Sequence, residues 1–491
     1  LKTVVQKIKN FQFSNDLKEL IRNSFWSLLG GIISKVTLFI AWVMVAKILG
    51  KEGNGQVGIV KSTINMFVLF VGSGIGLTVT KYIPQLLSEN LHRINKIISL
   101  SFVVSIIVGL FLSSVLFFGA EFLSTTILNS PSLVITLKIS AFLLFLNAIN
   151  GVLSGSLQGF KGFKDLMIIN SIYGVVLFGL LYYGALLYGI EGTFLGFVLG
   201  TFFQVILSFY FLRKHMHKNT IKFTFAFKEE YRVLKKFTLP AILTGLMVIP
   251  FKWLVDTIMV NSDNGYAYLG LYAAIVLFQT LLLMITNTIN APLITIMTKK
   301  NSSGSIDRIN VVLPWAIGIL VSLPILFFSY FFGSIFGKEY VLDDNYRVTL
   351  FLVVFTTVVM LYKQGLARIM IVNNLMWFSF LSNMIWGVAL LVSFYCFSDK
   401  TPKSLAISYL IAYSINTIIV FPIYIKRKII PIHLIKSTDS FIIWILFITI
   451  VVSVYYYPDM SIGLRLISMI GSMLVFSFFF YRLIMIKKKT V

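Results

Sequence analysis

Six ionisable side chains fall inside apolar stretches long enough to cross a bilayer: Lys35, Lys61, Lys138, Lys252, Asp256 and Lys363. A charge at the centre of a membrane helix costs at least ~2.5–3.5 kcal/mol, so each is expected to face a wet cavity or a partner. All but Asp256 are cationic, and ammonium groups in a low-dielectric setting suit phosphate. Lys252 and Asp256 stand four apart, on one helical face. They read either as a self-neutralising pair or as a cavity pair that a substrate anion opens by competing for Lys252. Lys35 sits mid-stretch with no carboxylate in reach along its own helix, which makes an anionic ligand its expected partner. Lys61, Lys138 and Lys363 lie within a turn or two of a span end and can snorkel to the interface; Lys61 and Lys363 also stand as candidate binding residues. Arg368 either meets a substrate headgroup at the entrance or marks topology. Asn147, Asn150, Asn287 and Asn290 could face the same space and suit sugar hydroxyls, or could join helices by hydrogen bonds.

The elements that must position these groups are membrane helices. The 491-residue chain is 58% hydrophobic with a mean hydropathy of +0.90, and only 12% of its residues are charged. That composition predicts an all-α polytopic membrane protein rather than soluble domains. Fourteen spans are expected, at 24–46, 57–79, 97–118, 132–157, 166–188, 192–212, 237–260, 267–291, 310–332, 348–367, 376–397, 404–425, 440–457 and 466–481. With both termini cytoplasmic, the inside segments hold 30 of the 42 Lys and Arg residues, the outside loops 7 and the spans 5. This agrees with the positive-inside rule. The net charge of +24 is thereby read as orientation and attraction to anionic lipid headgroups. Nucleic-acid binding is excluded, since there is no soluble domain to dock on a groove.

Other chemistries are poorly served. The lone Cys396 forms no internal disulfide, and no Cys/His spacing suits a metal; no cofactor is expected. His92, His215, His217 and His433 fall in expected cytoplasmic loops. The longest outside loop, near 333–347, is too short for a catalytic domain, and no Walker motif is present. An enzyme is therefore not expected. The basic, mildly amphipathic segment 1–23, with Lys2, Lys7, Lys9 and Lys18, lacks signal-peptide features. The first membrane helix is expected to serve as the targeting signal.

An internal repeat organises the spans. Asn170-Ser-Ile-Tyr-Gly-Val-Val-Leu177 recurs as Asn383-Met-Ile-Trp-Gly-Val-Ala-Leu390, and Val57-Gly58-Ile59 as Leu269-Gly270-Leu271. The nearly equal offsets indicate a six-plus-six duplication. The expected parts are bundles at 24–212 and 237–425, a basic linker at 213–236, and two further helices with a basic tail at 426–491. An even number of helices per half gives parallel halves related by an axis along the membrane normal, with substrate bound where they meet. Gly30 and Gly31 early in the first helix, and Pro240 and Pro250 in the seventh, are expected breakers that gate the path.

Local motifs carry a family resemblance. Ile48-Leu49-Gly50-Lys51-Glu52-Gly53-Asn54-Gly55 follows the first helix, and the second closes with Gly72-Ser73-Gly74-Ile75-Gly76-Leu77-Thr78-Val79-Thr80-Lys81-Tyr82-Ile83-Pro84. The stretch from Gly151 ends Leu157-Gln158-Gly159. These resemble the Wzx-type polysaccharide flippases, O-antigen translocases of the multidrug/oligosaccharidyl-lipid/polysaccharide exporter superfamily. The resemblance implies alternating-access transport of an undecaprenyl-pyrophosphate-linked oligosaccharide across a bacterial inner membrane. It also implies a glycan polymerase and a chain-length regulator as partners beside membrane lipids. A lipid II-type flippase shares the plan. A cation-coupled multidrug antiporter of the same superfamily should carry a membrane carboxylate in its first half, and none is present there. The loop at 81–96 lacks the Gly-x-x-x-Asp-Arg/Lys signature of the major facilitator superfamily.

Overall fold

The computed structural model describes residues 15–71, 73–87, 90–224, 230–231, 248–287, 304–372, 376–426 and 437–485. Pro240, Asn290 and His433 lie outside them. Thirteen principal helices follow in chain order. They are α1 (Asn15–Val71), α2 (Ser73–Leu86), α3 (Leu91–Phe122), α4 (Val134–Gly159), α5 (Phe163–Lys218), α6 (Ile249–Val260) and α7 (Gly265–Asn287). The remainder are α8 (Gly304–Phe327), α9 (Asp344–Val372), α10 (Met376–Cys396), α11 (Pro402–Lys426), α12 (Thr438–Tyr456) and α13 (Ile462–Met485). Lipid offers backbone groups no hydrogen-bond partners, so such apolar runs satisfy them within each helix.

Among the described residues, eleven helices are long and apolar enough to cross a membrane, where fourteen spans were expected. The difference has a physical origin. α1 and α5 each hold two expected spans joined by a bend one or two residues wide, at Gly50 (φ 69°, ψ −176°) and at Tyr188–Gly189 (Gly189 φ 58°, ψ −131°). Only glycine reaches such backbone angles cheaply. The span expected at 237–260 is described only from residue 248. At the second bend α5 folds back on itself: a Cβ on Gly192 would lie 2.1 Å from the Gly184 carbonyl, and one on Gly196 2.4 Å from that of Leu180.

The expected breakers behave differently. α1 is helical through Gly30 and Gly31, and its one interruption is Gly50. Pro250 stands in the first turn of α6, where its missing N–H has no helical partner to lose. The described part of the expected span 237–260 is helical only from Ile249, beside Pro250.

The glycines of the repeated motif both sit at close helix contacts. Gly174 on α5 is pressed against Ser34 of α1, and Gly387 on α10 against Phe251 of α6. The second arm of α1 crosses α7 with backbones almost touching. A Cβ on Gly55 would fall 1.8 Å from the Tyr266 carbonyl oxygen, and one on Gly270 1.8 Å from that of Lys51. Asn54 closes the crossing by donating to the Gly270 carbonyl at 2.8 Å. Small residues with interhelical hydrogen bonds are the means by which membrane helices associate.

One hydrophobic core runs through both halves and includes Val45, Val57, Leu271, Phe278 and Trp315. A second, built on Ile83, Ile98, Leu157 and Leu212, belongs to α2–α5 and the residues just after. α12 and α13 are fastened by aromatic contact: Trp315 of α8 stacks on Trp444 at 5.3 Å and meets Phe480 at 5.1 Å.

Gly270→Ala should cost about 1–3 kcal/mol through overpacking at the crossing, seen as a lower melting temperature of the solubilised protein. Gly179→Ala, where a Cβ meets nothing within 4 Å, should melt as the parent does. Equal melting of the two variants would contradict the crossing.

Candidate functional site: a cleft beneath a polar latch

The halves are tied at the end carrying the Gly50 and Gly189 bends. Lys51 Nζ is 2.8 Å from Asp343 Oδ2, and the Lys51 backbone N–H donates to Glu339 Oε1 at 3.1 Å. Tyr340 donates to the Ala46 carbonyl at 3.1 Å. Burial pushes its hydroxyl above the ordinary tyrosine range, so it stays protonated as the donor this bond needs. Asn261 Nδ2 donates to the Ile127 carbonyl at 2.8 Å, and Tyr266 to that of Leu128 at 2.7 Å. Every one of these bonds joins a segment before residue 218 to one after residue 248.

Beneath this latch, α1 faces α6 and α7. Phe39 lies 6.1 Å from Phe278, and Trp42 lies 5.7 Å from Phe197. Lys35 precedes Phe39 by four residues and Trp42 by seven, so it shares their face of α1, and its side chain is exposed. Lys61 on the second arm holds its ammonium 3.6 Å above the Trp42 ring, a cation–π placement that offsets part of its desolvation. It turns inward to an aromatic face instead of snorkelling to the interface. The next two residues cross to the other half. Ser62 donates to Asp256 Oδ2 at 2.7 Å, and Thr63 accepts from Trp253 Nε1 at 3.0 Å.

The helical spacing of Lys252 and Asp256 allowed a pair, but no ion pair forms between them. Asp256 takes a hydroxyl from the opposite half, because Ser62 reaches its carboxylate across the α1–α6 contact. Lys252 is half-buried on α6.

A second polar space lies within the later half. Lys363 Nζ donates to Asn416 Oδ1 at 2.5 Å and Thr417 Oγ1 at 3.1 Å, with the Tyr413 ring 5.6 Å away. It lines a cavity of about 310 Å³ with Ser382, Asn383, Trp386, Tyr413, Asn416 and Tyr424. Lys363 is thus drawn inward by α11 rather than outward to an interface. Arg368 departs from its expected place at an entrance: it is 2% exposed and clasps α8, donating to Asn310 O at 3.0 Å and Oδ1 at 2.9 Å. Lys138 extends toward Phe117, 5.7 Å away. Asn147 bonds its own helix at Leu143 O, and Asn150 reaches Gln204 at 3.2 Å. Both make the helix-stabilising use of buried amides. The sequence reading did not single out Trp42, Ser62, Tyr413 or Asn416; a stripe analysis of α1 would have found Trp42 beside Lys35.

The Lys51–Asp343 bridge is partly buried, so Asp343→Ala should weaken closure by about 1 kcal/mol, roughly a fivefold shift in the population of the open state. A cysteine at Ser62 in a Cys396→Ser background should then react about fivefold faster with an impermeant maleimide applied from the latch side. An unchanged rate would remove the bridge from closure.

The fold matches solved structures throughout its length. The lipid II flippase MurJ in an inward closed conformation aligns with a TM-score of 0.70 at 17% identity, covering 94% of this chain and 99% of that one. A multidrug resistance MATE family transporter of the MOP superfamily, inward-facing, gives 0.64 at 13% identity, covering 83% and 98%. A MOP superfamily transporter from Pyrococcus furiosus gives 0.61 at 14% identity, covering 84% and 95%. A comparison with curated proteins finds no match. The family model described as polysaccharide biosynthesis protein matches residues 20–299, more than half of the chain. The chain belongs to the polysaccharide biosynthesis protein family and has the multi-pass helical fold of these solved transporters.

Proposed function

We propose that this chain is a Wzx-type flippase. It moves an undecaprenyl-pyrophosphate-linked oligosaccharide from the inner to the outer leaflet of a bacterial inner membrane, for O-antigen or another surface polysaccharide. In this reading the chain crosses the membrane fourteen times as two parallel six-helix bundles plus α12 and α13. α1 and α5 each cross twice, both termini are cytoplasmic and the latch faces outward.

The observation that carries the proposal is the charge of the cleft. Lys61 adjoins Ser62, the partner of Asp256, Lys252 lies one turn from Asp256 on α6, and Lys35 lies on the α1 face of Phe39 and Trp42, so three cations share these elements with one described carboxylate. Such a space attracts a diphosphate and disfavours a cationic drug. Alternating access rocks the two halves about the first and seventh expected spans, 24–46 and 237–260, opening the latch while closing the opposite end. The lipid chain stays in the bilayer while the sugars cross. A lipid II-type flippase is the second reading, favoured by the full-length fold likeness to MurJ and separable only by substrate. The glycan polymerase and chain-length regulator that would receive the product belong to the same proposal.

Lys35→Glu and Lys252→Glu should each abolish export of surface glycan with protein levels unchanged, while undecaprenyl-linked repeat units accumulate inside. Undiminished surface glycan in both variants would take these lysines out of the path. Single repeats appearing on the surface would point to a polymerase instead.

A further inference from the structure

The chain that joins the two halves does not leave the first half when α5 ends. After Lys218 it turns through Thr220, at φ 56°, and the Ile221 N–H donates back to the Met216 carbonyl at 2.9 Å. Ile221 is buried in the second core. The next residues run along α3. The Lys222 and Thr224 N–H groups donate to Asn95 Oδ1 at 3.2 Å and to Ser99 Oγ at 2.9 Å. Between them Phe223 meets Phe102 edge-on at 5.4 Å. Asn95, Ser99 and Phe102 follow one another at helical spacing, so one face of α3 receives the segment.

Farther on, the chain meets the first turn of α3. Glu230 accepts from Arg93 Nε at 2.7 Å and from Nη2 at 3.1 Å. This is the two-pronged fork that a guanidinium makes with a carboxylate or a phosphate. The pair is lopsided: Glu230 is buried, whereas the Arg93 side chain is 43% exposed. An outside anion can therefore approach the guanidinium without first moving Glu230. The surroundings favour such an anion. Arg93 stands at the positive end of the α3 dipole, Lys96 follows one turn along, and Lys222 is exposed on the docked segment.

Resting on the orientation in the flippase reading, which puts this end at the inner leaflet, we propose that the chain after α5 is a strap whose clasp, Arg93–Glu230, is opened by an anionic phospholipid. The headgroup phosphate takes the fork that Glu230 holds, and the displaced carboxylate is repelled by the same charge. A basic face without Glu230 would simply bind lipid; with Glu230 in place, binding and strap compete for one guanidinium. A zwitterionic headgroup competes poorly, because it carries a cation beside its own phosphate. The strap belongs to the covalent connection between the halves, so this is a point at which membrane charge acts on their rocking.

The test uses the full chain carrying Cys396→Ser, with spin labels at Tyr231→Cys beside the clasp and at Lys214→Cys on α5, both exposed positions. Their separation is read by pulsed electron resonance in nanodiscs of phosphatidylcholine or phosphatidylglycerol. One narrow distance is expected in phosphatidylcholine. In phosphatidylglycerol a longer, broader population should appear, at least about threefold larger than in phosphatidylcholine. Arg93→Gln and Glu230→Gln should each show the released population in both lipids. Identical distributions of the parent in the two lipids overturn the proposal. So does a folded Arg93→Gln or Glu230→Gln that keeps the narrow distance in phosphatidylcholine. Inorganic phosphate that releases the strap as fully as phosphatidylglycerol would make this a soluble-anion site and overturn the lipid assignment. The two readings fail separately. A parent protein that moves no lipid-linked glycan in reconstituted transport fails the flippase reading, while the distances, measured with the same lipid in both leaflets, decide the strap.

Discussion

The structure depends on the contact between α1 and α7, where Gly55 and Gly270 bring two backbones together with no side chain between them. In lipid there is little hydrophobic drive to join helices, because acyl chains are as apolar as leucine; packing and interhelical hydrogen bonds must do it. The crossing supplies both, with Asn54 bonded to the Gly270 carbonyl. Because the crossing is narrow, its neighbours on either side are free to take different separations. On one side the latch draws the chain together. On the other, Phe39 of α1 meets Phe278 of α7 and Trp42 meets Phe197 of α5. A broad leucine interface would have fixed the halves along their whole length.

Buried charge is the second constraint, and among the described residues Lys61, Lys363 and Asp256 meet it without a direct ion pair. An unpartnered charge at mid-membrane costs several kcal/mol, yet the structure handles each group with neutral or aromatic partners: Lys61 with Trp42, Lys363 with Asn416 and Thr417, Asp256 with Ser62. Such partners lower the cost of burial while leaving the charge available to a ligand. A carboxylate in place of Asn416 would stabilise Lys363 more and make it useless for holding an anion. Arg368 shows the opposite solution. It is buried and bonded to two oxygens of Asn310, and it serves to clasp α8 to α9.

The membrane helices were legible in the sequence because the bilayer imposes a length on each apolar run. The weak boundary at Gly189, where only three residues separate two spans, is a real bend, and Gly50 makes the same bend between the first two. Gly174 and Gly387, the glycines of the repeated motif, are both pressed against another helix. What the sequence could not show was partnership across helices. Spacing along α6 suggested Lys252 for Asp256, but the hydroxyl that reaches it comes from a residue 194 positions earlier. Gly30 and Gly31 looked like breakers because composition reports only what a residue permits. Whether a glycine stays helical depends on what packs beside it, and Gly31 has open space around it.

The latch also explains how a structure this hydrophobic can avoid being locked. Its bonds are one partly exposed ion pair and a few hydrogen bonds to backbone carbonyls. Exposed pairs contribute roughly 0–1 kcal/mol and hydrogen bonds about 0.5–1.5 kcal/mol net each. Water can replace every one of these partners when the end opens, so the difference between closed and open stays within a few kcal/mol. That is the range a ligand can tip by binding one state more tightly. Some of the apolar contacts that would be costly to expose, such as Phe278 with Phe336 and Trp315 with Trp444, lie within the later half and its added helices, whereas Phe39 with Phe278 joins the two halves.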